Sequence, residues 1–318
     1  MVASAGLSAG VTVGSSVPRE RSPITVTIGD LIRQRAAGES IQITAPRVRV
    51  ATAGGHQSTF KGRGIEFDES RLYQPGDDLR TIDWRVTART GEPHTKVFRE
   101  ERNRPIIAWI DLRREMMFAT RGVYKAVVAA ESAALVAWSA IAHGDRLGAL
   151  VFSDTDHHEL RPRLGRASAL RLFQLICDSW HAPDAQTAHA PASGSLQRLT
   201  RVARPGSLVF LASDFRDLDD EGVRHLRRLA VHSDLLLMHV YDPLESELPP
   251  PGRYRIHDGS RALPIETGNA AARARYAGQF EQRRERLMQL QKLAGVAVVE
   301  CRTDEDPQTA LGSRFRKK

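Results

Sequence analysis

The run IIAWID, residues 106–111, combines five consecutive apolar residues with a terminal carboxylate. An apolar run that is too short for a helix is typical of a strand buried on both faces of a parallel sheet. Comparable runs recur at 146–152, 209–214, 235–242 and 296–300, and two of these also end in Asp. The sequence therefore predicts an α/β fold built on a doubly wound, mostly parallel sheet.

Helical patterns separate these runs. Residues 122–143 are apolar on nearly every side and predict a buried helix between the first two strands. Connections of this kind between parallel strands are right-handed crossovers. In such a sheet, ligands bind outside the carboxyl ends of the strands, so Asp111, Asp214 and Asp242 are the first candidates for a functional site.

The rest of the chain divides around this domain. Residues 1–24 carry neither a basic leader nor a long apolar stretch and are predicted to be a disordered tail. Residues 25–104 contain a short amphipathic piece and β-like fragments such as 41–44, which predict a small β-rich annex. The α/β domain is then expected at 105–305, and a basic tail at 306–318.

Composition narrows the classes of function. With 41% hydrophobic residues among 318, the chain can bury a large core, and it contains no fully apolar run of about 18 residues, so no membrane span and a cytoplasmic location are expected. The net charge of +8 would suit a protein that binds nucleic acid. Aromatic residues are not interleaved with the basic ones, however, which argues against this function. There is no GxGxxG after the first strand and no GxxxxGK[ST], so no nucleotide cofactor is expected.

A second stretch, GRGIEFDESRLYQPGDDLRTIDWRVTARTG at 62–91, mixes Arg with Asp and Glu almost one for one. With 98–102 and 144–148, it resembles the signature of the bacterial family called domain of unknown function 58. The resemblance runs over residues 30–240 and implies a β-rich region followed by a von Willebrand factor A-like domain. Genes of the family are found beside those of MoxR-type AAA+ ATPases. The resemblance thus implies an adaptor that helps such an ATPase to assemble or mature client proteins.

The signature can be interpreted in two ways. Its charges can pair locally around Trp84 and form a clamp between the annex and the main domain, or they can form a docking surface for a partner. Residues 79–86 fit a helical face and a strand face equally, and we favour a short helix because Asp77 or Asp78 can cap it. The residues concerned are Gly76, Asp77, Asp78, Arg80, Asp83, Trp84, Arg85 and Arg89.

Von Willebrand A-like domains often hold Mg²⁺ with an Asp-x-Ser-x-Ser motif, a hydroxyl from a second loop and a later Asp. Here Asp111 is in place, but Arg113 and Glu115 stand where the serines belong. Ser168 could approximate the second-loop hydroxyl, and Asp214 matches the later Asp. A guanidinium cannot ligate a cation, so the resemblance with this departure predicts a degenerate site in which Arg113 pairs with Asp111 or Asp214.

No metal, cofactor or catalytic residue is therefore expected, and the predicted function is non-enzymatic. The sequence contains no GxSxG or HExxH motif that would nominate a nucleophile or a zinc site. The alternative is a Mg²⁺-dependent hydrolase in which Asp111, Glu115 and Asp214 bind the metal and Arg113 turns outward.

Overall fold

A six-stranded sheet forms the centre of the fold in the computed structural model, which describes residues 22–43, 65–74, 81–100, 103–180, 190–257 and 262–315. In spatial order its strands are β10 (Val296–Arg302), β7 (Asp234–Tyr241), β6 (Leu208–Ser213), β3 (Pro105–Asp111), β4 (Arg146–Phe152) and β5 (His157–Arg163). All neighbouring pairs are parallel except β4 and β5. The predicted doubly wound, mostly parallel sheet is confirmed.

Helices cover both faces of the sheet. Alternate residues of β3 point to opposite layers: Ile106 and Ile110 join one apolar cluster, and Ile107 and Trp109 join the other. The helices around the first cluster are α4 (Lys125–Ala142) and α5 (Arg166–Asp178), and those around the second are α6 (Ala192–Val202), α7 (Asp220–Ala230) and α9 (Ala270–Leu290). This burial on both sides is why the inner strands are apolar throughout.

Helix α4 lies at the centre of the first layer. It is the one helix in the described ranges whose length and hydropathy would also suit a membrane span, and 89% of that stretch is buried inside this fold. Central helices of globular domains share this property. Because α4 includes Lys125, Glu131 and two serines, it is not a fully apolar run, and the expectation that the chain has no membrane span stays a prediction.

Two short helices near the N-terminus, α1 (Ile28–Arg33) and α2 (Arg35–Ser40), pack on α4. The indole Nε1 of Trp138 donates to the carbonyl of Leu31 at 3.0 Å, and Ser139 Oγ donates to the carbonyl of Ile41 at 2.5 Å. Residues 41–43, expected as a β fragment of the annex, form no strand, and residue 44 is outside the described ranges. Burial of Ile41 in the main core outweighs its strand propensity.

The β-rich elements that the structure describes within the range 25–104 form one small unit. Strand β1 (Ile65–Leu72) pairs antiparallel with β2 (His94–Glu100), and helix α3 (Trp84–Thr90) lies between them in sequence. Asp83 caps α3, and Ile82 forms an isolated bridge with Thr95. The helix favoured over 79–86 is therefore wrong at Ile82, which is in β structure, and α3 begins only at Trp84 with Asp83 as its cap; Asp77 and Asp78, the caps expected from the sequence, lie outside the described residues.

The C-terminal part contains one more departure. The short helix α8 (Pro243–Ser246) and the hairpin of β8 (Arg253–His257) and β9 (Ala262–Glu266) precede α9. Residues 306–318 were expected to form a basic tail, but Pro307–Phe315 is a helix, α10, that packs on α4 and β10. Leu311 is fully buried in the first cluster and Ala310 packs against it, a contact too small for a sequence pattern to reveal. The predicted tail at 1–24 lies outside the described residues except for its last three.

Candidate functional site

The carboxyl ends of β3 and β6 bring the expected carboxylates to one edge of the sheet. Ile110 pairs with Ala212 in the parallel register, so Asp111 lies alongside Ser213, and Asp214 follows immediately. Asp111 is fully buried and Asp214 is 5% exposed. Two buried carboxylates so close together require cationic or hydrogen-bonding partners.

Arg113 is the partner of Asp111. Its Nε and Nη2 donate to the two carboxylate oxygens at 2.9 and 2.7 Å, and both side chains are fully buried. Ser213 Oγ donates a further bond to Asp111 at 2.6 Å. The degenerate-site hypothesis left Asp111 and Asp214 open as partners of Arg113, and the bidentate pair is with Asp111.

The rest of the Arg113 guanidinium is also held. Its Nη1 donates to the carbonyl of Ala190 at 2.9 Å and to Asp217 at 3.0 Å, and its plane lies over the ring of Phe152. Burial opposes the charge on Arg113, but attraction and hydrogen bonding from Asp111 outweigh it and raise the pKa of the guanidinium. Arg113 is therefore a permanently charged, fixed part of this edge.

Asp214 pairs with a residue that the sequence reasoning did not single out. Lys125, in the first turn of α4, is fully buried and donates from Nζ to Asp214 at 2.6 Å and to Glu245 at 2.8 Å. Arg216 donates to the same Glu245 oxygen at 2.5 Å, and its backbone N–H donates to Asp214 at 3.0 Å. The one available sequence signal was a lysine at the start of a mostly apolar helix.

These contacts set the protonation states of the second pair. Burial would raise the pKa of the Asp214 carboxyl, but the Lys125 ammonium outweighs it and holds that pKa well below its usual range. Burial likewise opposes the charge on Lys125, and Asp214 and Glu245 outweigh it and raise the pKa of the ammonium. Both members of the pair are ionised at neutral pH.

Two of the predicted site residues make other contacts. Ser168 is on α5, and its hydroxyl donates to the carbonyl of Gly165 at 2.7 Å, closing its own helix start. Glu115 lies on a single 3₁₀ turn, Arg114–Met116, with Nη2 of Arg114 3.7 Å from its carboxylate. The donors around Asp111 and Asp214 come instead from Arg113, Ser213, Lys125 and Arg216.

The third strand-end carboxylate, Asp242, has a structural environment. It accepts bonds from the backbone N–H and hydroxyl of Thr120 at 2.7 and 2.5 Å, from Thr303 Oγ1 at 2.8 Å and from the N–H of Leu244 at 2.9 Å. These donors outweigh its burial and lower its pKa. Asp242 thus caps α8 and connects it by hydrogen bonds to Thr120 and Thr303.

The oxygen atoms at this edge of the sheet do not suit the coordination of Mg²⁺. A hard cation needs several free oxygen ligands. The carboxylate oxygens of Asp111 and Asp214 already accept bonds from buried cations and N–H groups. Within the described ranges, no group of three or more His, Cys, Asp or Glu side chains is arranged to hold a metal ion.

The structure describes only part of the signature segment. Gly76, Asp77, Asp78 and Arg80 lie outside the described residues. Asp83 uses its carboxylate for the N–H groups of Arg85 and Val86 and for Ser70 Oγ, which lowers its pKa. Its bonds stay within the β1, α3 and β2 unit.

Trp84 was expected at the centre of the paired charges, yet it is 71% exposed. Arg85 and Arg89 are exposed as well, and neither pairs with a carboxylate in the described part of the chain. Within the described residues no ion pair surrounds Trp84, and Asp77, Asp78 and Arg80 lie outside them, so the clamp stays a prediction. Because Asp83 takes the cap position, α3 starts at Trp84 and its first turn faces solvent.

Among curated relatives, uncharacterized proteins from Mycobacterium bovis and Mycobacterium tuberculosis are 28% identical to this chain over 296 residues, which is 92% of each sequence. Similar solved structures are the conserved hypothetical protein BatB from Bacteroides thetaiotaomicron and a von Willebrand factor type A protein from Catenulispora acidiphila. The first is 16% identical with a TM-score of 0.37 and covers 66% of this chain and 96% of its own. The second is 10% identical with a TM-score of 0.38 and covers 70% and 42%.

A family model decides the assignment. The model of the family described as "Protein of unknown function DUF58" matches residues 69–286, which is more than half of the sequence. The match takes in residues 69–91 of the signature segment, every strand of the six-stranded sheet except β10, and most of α9. This chain belongs to the DUF58 family.

Proposed function

We propose that this protein is a non-enzymatic protein-interaction module that acts as an adaptor for a MoxR-type AAA+ ATPase in the assembly or maturation of client proteins. The observation that carries the proposal is the saturation of Asp111 and Asp214 by Arg113 and Lys125. A metal ligand or general base at this edge would need a free oxygen, and each of these carboxylates is held by a buried cation instead.

The exposed signature helix supports a binding role. Trp84 is 71% exposed on α3, with the exposed Arg85 and Arg89 on the same helix. Tryptophan and arginine are the residues that most often dominate the energy of protein interfaces. A large aromatic side chain left in water on a capped helix favours the docking hypothesis for this segment over the clamp.

The class of partner rests on the family resemblance, since genes of this family lie beside those of MoxR-type ATPases. Adaptor and ATPase would meet in the cytoplasm, and the client would be a third protein. Neither a bound cofactor nor a nucleic acid is part of the proposal.

Copurification at native expression level tests the proposal. Tagged wild type, Trp84→Ala and Val231→Ala are compared by mass spectrometry of the recovered proteins. Val231 is the matched control because it is also an exposed apolar side chain, 79% exposed at the end of α7. An AAA+ ATPase is expected with wild type and Val231→Ala, and its recovery should fall strongly with Trp84→Ala.

Other results would contradict the adaptor role. If no AAA+ ATPase is recovered with the wild type, the proposed partner is wrong. Mg²⁺-dependent hydrolysis of an ester or phosphoester that disappears in Asp111→Asn would favour the hydrolase. Nucleic acid that is released by raised salt would favour a third class of function.

A further inference from the structure

A cleft of about 340 Å³ lies between the loop that follows β6 and helix α9. The loop contributes Phe215, Arg216 and Leu218 to its lining, and α9 contributes Gln279, Gln282, Arg283 and Arg286. The loop begins at the carboxyl end of β6, the side of the sheet at which α/β domains bind their ligands. Among the residues that line this cleft, only Arg216 takes part in the buried ion pairs described above. It donates to Glu245, the carboxylate that also accepts from Lys125.

The α9 side of the cleft is a single polar stripe. Residues 279, 282, 283 and 286 follow the spacing i, i+3, i+4 and i+7, which places them on one face of a helix. This face carries two arginines and two glutamines and no acidic residue. The neighbouring Glu281 points to another partner, since it pairs with Arg284 at 2.9 Å.

The arginines of the cleft differ in how far they are neutralised. Arg286 donates to the carbonyl of Leu218 at 2.7 Å and lies 3.4 Å from the exposed Asp220. Arg283 lies over the ring of Phe280 at 5.9 Å and pairs with no carboxylate among the residues that the structure describes. Its N–H donors are therefore available to an anion in the cleft.

The loop opposite α9 is held in an uncommon conformation. Phe215 has a φ of 50°, a value that few residues other than glycine adopt. Its backbone N–H donates to Ser213 Oγ at 3.0 Å, which is the hydroxyl that also holds Asp111. Strained backbone of this kind occurs more often at binding sites than elsewhere.

We propose that this cleft binds a short acidic segment of a partner protein, with Arg283 and Arg286 on its carboxylates and Gln279 and Gln282 on its backbone. A guanidinium matches a carboxylate in bidentate geometry, and an amide side chain offers the donor and acceptor that a peptide group needs. A free phosphate would use the arginines and leave both glutamines without a role, which favours a peptide. The inference rests on the proposed function, because it names the chemistry of the partner that such a module recognises.

Fluorescence anisotropy with the full chain tests the site. The probe is a fluorescein-labelled peptide of four Glu-Ala repeats, measured against wild type, Arg283→Gln and Arg228→Gln. Arg228 is exposed in the last turn of α7 and loses the same charge away from the cleft. Affinity should fall about fivefold or more in Arg283→Gln, as expected for the loss of one charge-assisted contact, and stay within about twofold in Arg228→Gln.

A second variant keeps the test decisive if Arg283→Gln folds poorly. Gln282 is exposed, so Gln282→Glu should leave the fold intact and place a repelling carboxylate in the cleft. It should weaken peptide binding at least as much as Arg283→Gln. Equal losses in Arg283→Gln and Arg228→Gln, or full binding by Gln282→Glu, would refute the site.

Two competitors test the class of ligand. The neutral peptide of four Gln-Ala repeats should not displace the probe, and inorganic phosphate should displace it only at much higher concentration than the unlabelled acidic peptide. Displacement by phosphate at equal concentration would show a small-anion site and overturn the peptide proposal. If the acidic peptide fails while an AAA+ ATPase still copurifies through Trp84, the cleft proposal falls and the adaptor proposal stands.

Discussion

At the scale of single residues, the most informative feature is the pair of buried cations at one edge of the sheet. Arg113 is held to Asp111, and Lys125 is held to Asp214 and Glu245, all with little or no exposure. A buried ion pair adds little net stability when it is complete, but the loss of one partner leaves an uncompensated charge. Each pair can therefore be tested by removing its cation.

For Lys125→Met we expect a loss of about 3–5 kcal/mol in the free energy of unfolding, because Asp214 and Glu245 lose their buried ammonium. Urea denaturation measures the change. The control is Lys292→Met, at an exposed lysine, which should change stability by less than about 0.5 kcal/mol. A loss below about 1 kcal/mol in Lys125→Met would mean that water or another cation replaces the ammonium.

For the pair of Arg113 and Asp111, the prediction concerns metal. Wild type should show no thermal shift with millimolar Mg²⁺, whereas a site of micromolar affinity would add about 4 kcal/mol at a thousandfold excess. Arg113→Ser should lose about 3–5 kcal/mol, and Mg²⁺ should then recover part of the loss.

The opposite pattern would reopen the metal-site alternative. A clear Mg²⁺ shift in the wild type that disappears in Asp214→Ala would show that a cation displaces the side-chain partners. The degenerate-site hypothesis would then be wrong.

At the scale of elements, the helix pair α1 and α2 closes one side of α4 through very close backbone contact. A Cβ on Gly38 would lie 2.6 Å from Cβ of Trp138 and 2.8 Å from the carbonyl oxygen of Leu135. Helix propensity alone would favour alanine at such a position. Packing and propensity therefore act in opposite directions here.

Gly38→Ala should destabilise the protein by about 1–3 kcal/mol, because α2 must move away from α4. Gly278→Ala is the matched control, since that helical glycine of α9 has no atom within 4 Å of the added Cβ. It should stabilise by about 0.5–1 kcal/mol. Chemical denaturation measures the change in the free energy of unfolding for both variants. Changes of the same sign in Gly38→Ala and Gly278→Ala would contradict the close contact at Gly38.

The cap of α3 gives a second test at this scale. Asp83→Ala removes the acceptor of the Arg85 and Val86 N–H groups and the partner of Ser70. The β1, α3 and β2 unit should then unfold at lower denaturant concentration, as followed by hydrogen exchange of its amides. Asp83→Asn keeps an acceptor and should show a smaller effect. Equal protection in wild type and Asp83→Ala would mean that the cap does not hold this unit.

At the scale of the whole molecule, the carboxyl pKa values determine how stability depends on pH. Contacts from His239 and Arg284 hold the pKa of Glu300 at about 2, against an ordinary value of 4.5. The Nδ1 of His239 is 3.6 Å from Glu300, too far for a hydrogen bond, whereas Arg284 donates at 2.8 and 3.1 Å. We therefore attribute the effect mainly to Arg284, which links α9 to β10.

A lowered pKa in the folded state means that the ionised form stabilises the fold. This contribution is complete above the unfolded value of 4.5 and is lost as the pH falls towards 2. The depressed pKa of Asp214 acts in the same direction. Glu300→Gln should lower the free energy of unfolding by about 1 kcal/mol near neutral pH, a value that allows for solvent screening of the ion pair. The stability of this variant should also depend less on pH between 4.5 and about 2 than that of the wild type.

Urea midpoints over this pH range measure the effect. The control is Glu159→Gln, an exposed carboxyl on the edge strand β5, which should follow the wild type. Parallel pH profiles of wild type and Glu300→Gln would show that the ion pair with Arg284 does not contribute to acid stability.

Much of the α/β domain could be predicted from local patterns in the sequence. The strand expected at 146–152 has the bounds Arg146–Phe152, and the helix expected within 122–143 is Lys125–Ala142. The pairing of Arg113 with Asp111 was also accessible, because the two residues are neighbours in the chain and one is a cation in a motif of oxygen ligands. Such features depend on residues close in sequence, whose spacing fixes which face they share.

Tertiary structure alone decided the rest. Lys125 and Asp214 are 89 residues apart, and nothing near either residue identifies the other as its partner. Leu311 and Ile41 lie in segments that looked like a tail and a strand, yet each is buried in the core around α4. The sequence by itself determined that the chain forms a mostly parallel sheet and that strands and helices alternate along it, because apolar periodicity is a local property. The partners of buried charges and the docking of the terminal helices were decided only when distant elements packed together, because burial and ion pairing depend on what else occupies the same space.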